Sequence, residues 1–293
     1  MKEVKVQRNY KDTMFRMLFR EKANLLSLYN ALNRTSYTDV DNLEITTLEN
    51  AVYMNYKNDI SFVFDFELML YEHQSTVNPN MPLRDLIYVT EVLQERIKDK
   101  NLYGASLIPL PTPRFVVFYN GTIPQPERQT LKLSDAYVKK QEDSDLELTV
   151  TVYNINWGNN HELMEACSLL RDYARFVEQV RIFAKEMTFP EAVEQAVDYC
   201  IQNGILADFL SENRAEAIAM SIFEYNEEQH LRSEREQAYK SGRDEGIREG
   251  IKEGETRLAQ LLKMLADEGR DNDIRRAISD QAFREQLYKD KKL

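Results

Sequence analysis

Residues 58–82, NDISFVFDFELMLYEHQSTVNPNMP, hold Asp59, Glu72 and Gln74, three oxygen-bearing side chains spaced so that one divalent cation could reach all of them. Residues 59–64 (DISFVF) and 67–74 (ELMLYEHQ) are rich in β-branched and aromatic side chains and read as the two strands of a hairpin. With Asp65 and Phe66 as the loop, Phe64 faces Glu67, and counting back places Asp59 opposite Glu72. Such a pair has Cβ atoms roughly 5 Å apart, and Gln74, two residues on, returns to the same face. Carboxylates that close repel each other unless a cation lies between them. The reading depends on the loop, because Asp-Phe is not a favoured two-residue turn. A slip of one residue would turn Asp59 away from Glu72. A plainer alternative also stands, with Asp59 a turn residue at the strand start and Glu72 an exposed strand acid. His73 falls on the opposite face from Glu72 and Gln74, which favours packing or hydrogen bonding over ligation.

These strands need a folded core to hold them. The chain has 293 residues, 43% hydrophobic and 30% charged, a globular composition with room for more than one folding unit. No apolar run approaches the roughly 18 residues of a membrane span, and the opening MKEVKVQRNYKD lacks a signal-peptide core, so no membrane partner is expected and the default location is cytoplasmic. Cys167 and Cys200 lie in apolar helical segments without zinc-ligand spacing and read as buried thiols. The formal net charge of −11 argues against a nucleic-acid partner, but its distribution weakens that objection. Residues 1–34 carry eight Lys/Arg and three Asp/Glu, whereas residues 141–240 carry eight and twenty, so the acidity lies far along the chain from the carboxylate pair. Local field decides steering at a cleft.

The positioning elements follow from periodicity. Residues 12–32 have Phe15, Leu18, Phe19, Leu25, Leu26 and Leu32 at helical intervals, predicting one amphipathic helix with Asp12 as its cap or in its first turn. Residues 43–48 (LEITTL) read as a short extended piece. Residues 83–97 predict a second helix, with Leu83, Leu86, Ile87, Thr90, Leu93 and Ile97 on one period, after a link bracketed by Pro79 and Pro82. Residues 107–110 and 114–119 (RFVVFY) predict strands, the second closed by the turn signal Asn120-Gly121, and residues 146–155 a half-buried or edge strand. The expected organisation is a mixed α/β core over residues 1–160, a helical region over 161–240 packed on the core or at a homodimer interface, and a Gly-rich charged tail over 241–293. In that tail Gly242, Gly246, Gly250 and Gly254 recur every four residues, which reads either as a stripe for close helix approach or as a solvated helical or flexible linker.

The combination of KDTMFRMLF (residues 11–19), NDISF (58–62), EHQSTVNPNMPLR (72–84), RFVVFYNG (114–121) and the glycine-punctuated tail resembles the recombination-promoting nuclease and transposase-like group of the PD-(D/E)XK nuclease superfamily. The likeness spans about residues 8–190, with the tail similar in style only. It implies a restriction-endonuclease-like core and Mg²⁺-dependent hydrolysis of phosphodiester bonds in DNA, with Mn²⁺ also suitable and no organic cofactor. Asp59 would match the family's metal-ligating Asp, Glu72 its acidic position on the next strand, and Gln74 the position where the superfamily usually has Lys. Asp12 would match the acid that group members carry on the first helix. Gln74 can hydrogen-bond water or phosphate but cannot neutralise developing charge, which leaves the cation to come from elsewhere. Arg84, at the start of the following helix, is the preferred phosphate clamp. The alternative expectation is a nuclease-like fold that binds nucleic acid or protein without cutting.

Overall fold

A computed structural model describes residues 14–47, 59–139, 144–291 and 293, without the side chains of 223–238, 241, 244 and 245. The chain forms two compact units, Met1–Glu228 and Gln229–Leu293.

The first unit is a mixed α/β fold. Its six strands are β1 (Glu44–Ile45), β2 (Ile60–Phe64), β3 (Glu67–Gln74), β4 (Thr112–Tyr119), β5 (Arg128–Lys132) and β6 (Thr149–Asn154). They lie in the order β1-β2-β3-β4-β6-β5. The centre, β3, β4 and β6, is parallel, and β1, β2 and β5 add antiparallel flanks. Helix α3 (Met81–Ile97) makes the crossover between β3 and β4 that a parallel pair needs.

The expected hairpin register is observed: Phe64 pairs with Glu67 and Ile60 with Tyr71. Asp65 and Phe66 both take left-handed backbone angles, φ 47° and 61°, as a tight primed turn matching the strand twist requires. Two non-glycine residues therefore adopt the conformation that Asn-Gly normally supplies.

Strand β3 sits between two apolar layers that its side chains feed alternately. Met69 and Tyr71 join Phe62 and Phe118 in the larger core, beneath α1 (Met14–Phe19), α2 (Lys22–Asn33), α4 (His161–Ala166), α5 (Ser168–Phe183), α6 (Phe189–Gln202) and α7 (Ala207–Glu212). Leu68 and Leu70 join Val117, Val150 and Val152 in the smaller core under α3. Because the β4 segment is covered on both faces, it reads as a continuous apolar run with no alternation. The larger core contains residues of both the sheet and the helical region 163–217, so the helices pack on the sheet within one unit.

Several expectations are corrected. The helix predicted over 12–32 is two helices: Glu21 is extended, and the Asn24 side chain donates to the Leu18 carbonyl left open at the end of α1 (2.8 Å). Asp12 lies outside the described residues. Residues 107–110 form no strand, and Leu107 is exposed for want of a partner. The strand read over 146–155 is β6, an interior strand, because the polar segment RQTLK forms the unforeseen β5 beyond it. Pro82 lies in the first turn of α3, where its missing N–H leaves no intrahelical bond unmade. The buried stripe of α3 is Met81, Asp85, Tyr88, Val89 and Val92, whereas Leu83 and Thr90 are exposed. At Gly121 the requirement is space: a methyl group there would overlap the Ser75 carbonyl oxygen.

Helix α8 (Arg214–Asp267) runs unbroken through the glycine-rich segment, so that segment is helical. Among the described residues, no atom beyond the helix's own nearby backbone lies within 4 Å of where a side chain would start at Gly242, Gly246, Gly250 or Gly254. In the second unit, Leu261 and Leu265 pack with Ala277 of α9 (Asp271–Ser279) and Leu287 of α10 (Gln281–Lys291).

Candidate functional site

The carboxyl end of β3 and the buried face of α3 bring Asp59, Glu72 and Arg84 together. Extending the hairpin by one pair puts Asp59 opposite Glu72, and the Asp59 backbone N–H donates to Glu72 Oε2 (3.2 Å). Asp59 Oδ2 accepts the backbone N–H of His73 (2.7 Å). Arg84 Nη2 donates to Glu72 Oε1 (2.9 Å). Gln74 shares the Glu72 face, but its amide donates to Met81 Sδ (2.7 Å), and Arg84 Nη1 also approaches that sulfur (3.4 Å). Arg84 therefore sits in the site as a counter-ion to Glu72, a role the expectation of a phosphate clamp did not include.

The sequence reading missed Asp85. It is 4% exposed and lies on the buried face of α3. Burial pushes its pKa up to about 7, against a lowering by the neighbouring Arg84. Glu72, 7% exposed, has its pKa raised well above the ordinary carboxylate range. Burial is the first cause and the Asp59 charge the second; Arg84 opposes them and Asp85 adds to them. Removing carboxylates from water carries a penalty that a single guanidinium only partly offsets.

The donor chemistry fits a hard divalent cation. Carboxylate oxygens suit Mg²⁺ or Mn²⁺, which retain waters alongside one or two protein carboxylates. Among the described residues, however, no three His, Cys, Asp or Glu side chains converge as a ready metal cluster. With Arg84 on Glu72, the site presents paired acids and an internal cation.

On the other face of β3 a hydrogen-bonded chain runs from His73 to Arg181, with Asn120 Oδ1 buried and without a partner among the described residues. His73 Nε2 meets Tyr173 Oη (2.9 Å), and Asn120 Nδ2 donates to the same hydroxyl (3.1 Å). Arg181 donates to the Asn120 carbonyl and, at 2.5 Å, to Asn156 Oδ1. Phe15 stacks on the His73 ring. Burial first, then the Arg181 charge, holds the His73 pKa down at about 3, so the ring is neutral. This is the packing and hydrogen-bonding role expected for His73.

A cleft of about 430 Å³ with mixed polar and apolar lining opens at the carboxyl ends of β4 and β6, where ligands commonly bind parallel sheets. Gly121, Asn154, Asn156, Glu178 and Arg181 line it, and Asp59, Glu72, Gln74 and Arg84 do not. Tyr88 is buried, with its hydroxyl against Ser61 Oγ (3.3 Å). Cys167 and Cys200 are buried free thiols. No helix among the described residues is long and apolar enough to cross a membrane. Compared with protein-family profiles, curated proteins and solved structures, the chain matches none.

Proposed function

We propose that the chain is a metal-dependent DNA endonuclease with a restriction-endonuclease-like core, related to the recombination-promoting nucleases and transposase-like proteins it resembles. The observation that carries this reading is the Asp59–Glu72 juxtaposition. Two acids from adjacent strands meet beside an arginine at the end of a parallel sheet, and their buried charge favours a cation. Asp59 and Glu72 would hold Mg²⁺, which supplies polarisation of a phosphodiester and activation of water. Gln74 would orient water or a phosphate oxygen. Arg84, half-buried with its guanidinium at the site, would supply the positive charge that Gln74 lacks.

The test is cleavage of duplex DNA with Mg²⁺ by the full chain. Asp59→Ala and Glu72→Ala, each verified as folded, are expected to lower the rate by about 10³-fold or more, as losses of electrostatic stabilisation of this kind do. Undiminished cleavage by both variants would remove these residues from catalysis. A second reading draws on the Arg84–Glu72 pair: a site neutralised by its own side chain suits a module that binds nucleic acid without cutting. Salt-sensitive DNA binding with no cleavage at any Mg²⁺ or Mn²⁺ concentration would favour it.

A further inference from the structure

We propose that the cleft at the carboxyl ends of β4 and β6 is a nucleotide-binding site, in which Arg181 takes a phosphate group and Glu178 accepts from hydroxyl or amino donors on the body of the ligand. The site is separate from Asp59 and Glu72, and the choice of phosphate among oxyanions rests on the nuclease reading.

Arg181 is a cation without an acid. It lines the cleft and donates to two neutral oxygens, the Asn120 carbonyl and Asn156 Oδ1, and among the described residues it forms no ion pair. Those bonds orient the planar guanidinium and leave N–H donors over for a forked contact with an oxyanion. After burial, its charge is the second cause of the low His73 pKa, as expected of a positive charge that no carboxylate bridges.

The amide side chains of the cleft are held by one another and by the backbone. Asn156 Nδ2 donates to the Gly121 carbonyl (3.0 Å) and to Asn154 Oδ1 (2.9 Å), and Asn154 Nδ2 donates to the Gln125 carbonyl (2.9 Å). Little ordering is therefore left for a ligand to impose. Glu178, three residues before Arg181 on α5, is half-buried in the lining, and its side chain has no hydrogen bond or ion pair among the described residues. A carboxylate so placed serves donors that a ligand brings, such as a sugar hydroxyl. Ile123 and Pro124, both exposed, add apolar surface for a flat ring. The volume of about 430 Å³ is within the roughly 300–1,000 Å³ of small-molecule pockets. Gln74, Tyr119 and Asn154 stand level across β3, β4 and β6, so the cleft opens at the same edge of the sheet as Glu72, with β3 and β6 roughly 10 Å apart.

Equilibrium dialysis of the full chain in chelator, against thymidine monophosphate, inorganic phosphate and a short single-stranded oligothymidylate, tests the site without reference to activity. Trp157, the chain's one tryptophan, lies between the lining residues Asn156 and Asn159 in sequence, and its fluorescence locates the ligand. The parent is expected to bind thymidine monophosphate at least about tenfold tighter than inorganic phosphate, with a saturable change in Trp157 emission. Arg181→Gln is expected to weaken nucleotide binding by about tenfold or more. Thr122→Glu, which adds a carboxylate at an exposed lining position, should do the same by about tenfold while keeping the parent's urea midpoint, so the result does not depend on how Arg181→Gln folds. Glu178→Ala should narrow the preference for the nucleotide over inorganic phosphate. Tighter binding of the oligonucleotide than of the monophosphate assigns the cleft to a DNA strand, and equal or weaker binding assigns it to a free nucleotide. No nucleotide bound at millimolar concentration overturns the proposal. So does equal affinity for nucleotide and inorganic phosphate, or nucleotide binding unchanged in both Arg181→Gln and Thr122→Glu. If the parent cleaves DNA with Mg²⁺ and holds no nucleotide in chelator, the nuclease reading survives and this inference falls. Nucleotide binding without DNA cleavage gives the reverse result.

Discussion

Adjacent residues of one strand, Glu72 and His73, meet opposite chemical treatment on the two faces of the sheet. Under α5, His73 belongs to a chain of neutral partners, Tyr173, Asn120 and the Asn120 carbonyl, closed by Arg181. Under α3, Glu72 is bridged by Arg84 and feels the charge of a second buried acid, Asp85. The difference separates structure from site. A neutral hydrogen-bonded network fixes a strand in place, whereas buried acids that outnumber their counter-ions hold a demand for a proton or a cation.

Removing the shared hydroxyl should have the largest effect on stability. Tyr173→Phe leaves His73 and Asn120 without their common partner and is expected to destabilise the protein by about 2–4 kcal/mol, read from the midpoint of urea unfolding. The same variant should bind Mn²⁺ like the parent, since the change lies on the far side of the sheet. A parallel loss of metal affinity would show that the two faces are not independent.

Next in size are opposite tilts of stability with pH, measured in chelator-treated buffer. The folded pKa of Asp85, about 7, lies above its unfolded value, so the native state binds the extra proton. Its contribution falls as pH rises from about 4 to 7. Asp85→Asn removes that fall, so stability relative to the parent should climb by up to about 1.4 kcal/mol per pH unit within the window and level off above pH 7. The folded pKa of His73, about 3, lies below its unfolded value, so its contribution is lost as pH falls from about 6.5 toward 3. His73→Gln should therefore tilt the other way relative to the parent, with stability declining as pH rises through that interval. Tilts of the same sign would refute the contrast.

The smallest effect concerns the turn that sends Glu72 and His73 to their respective faces. Phe66 is 87% exposed and held at positive φ, so Phe66→Gly relieves a strained backbone while giving up little contact. A gain of about 1 kcal/mol in thermal or urea unfolding is expected, with Mn²⁺ affinity preserved because the register is unchanged.

Pattern alone carried the reader far on the hairpin and stopped at α3. Alternation and residue type located β2 and β3, and counting from Asp65-Phe66 gave the observed pairing although the turn chemistry argued against it. Packing on both sides of the hairpin evidently sustains a loop that local preference would reject. In α3, periodicity found the helix and placed its inward face only in part: Leu86 and Leu93 pack against the core. Leu83, on the same period, stands exposed, whereas Asp85 lies within the buried face. An acid in the middle of a packed stripe cannot be recognised by a rule that sends charges to solvent. The His73 network was also out of reach, because Tyr173 and Arg181 come from a helix about 100 residues later. Strand β5 escaped for a simpler reason: apart from Leu131 it carries no apolar side chain.

The absence of a side chain at residue 121 has a mechanical consequence. There the chain leaving β4 rests directly on the Ser75 carbonyl at the exit of β3, so the two strand ends form one stiff lip with no filler to compress. Spreading them would open a gap that nothing nearby can occupy. The lip therefore holds the carboxyl ends of β3 and β4 at a fixed spacing.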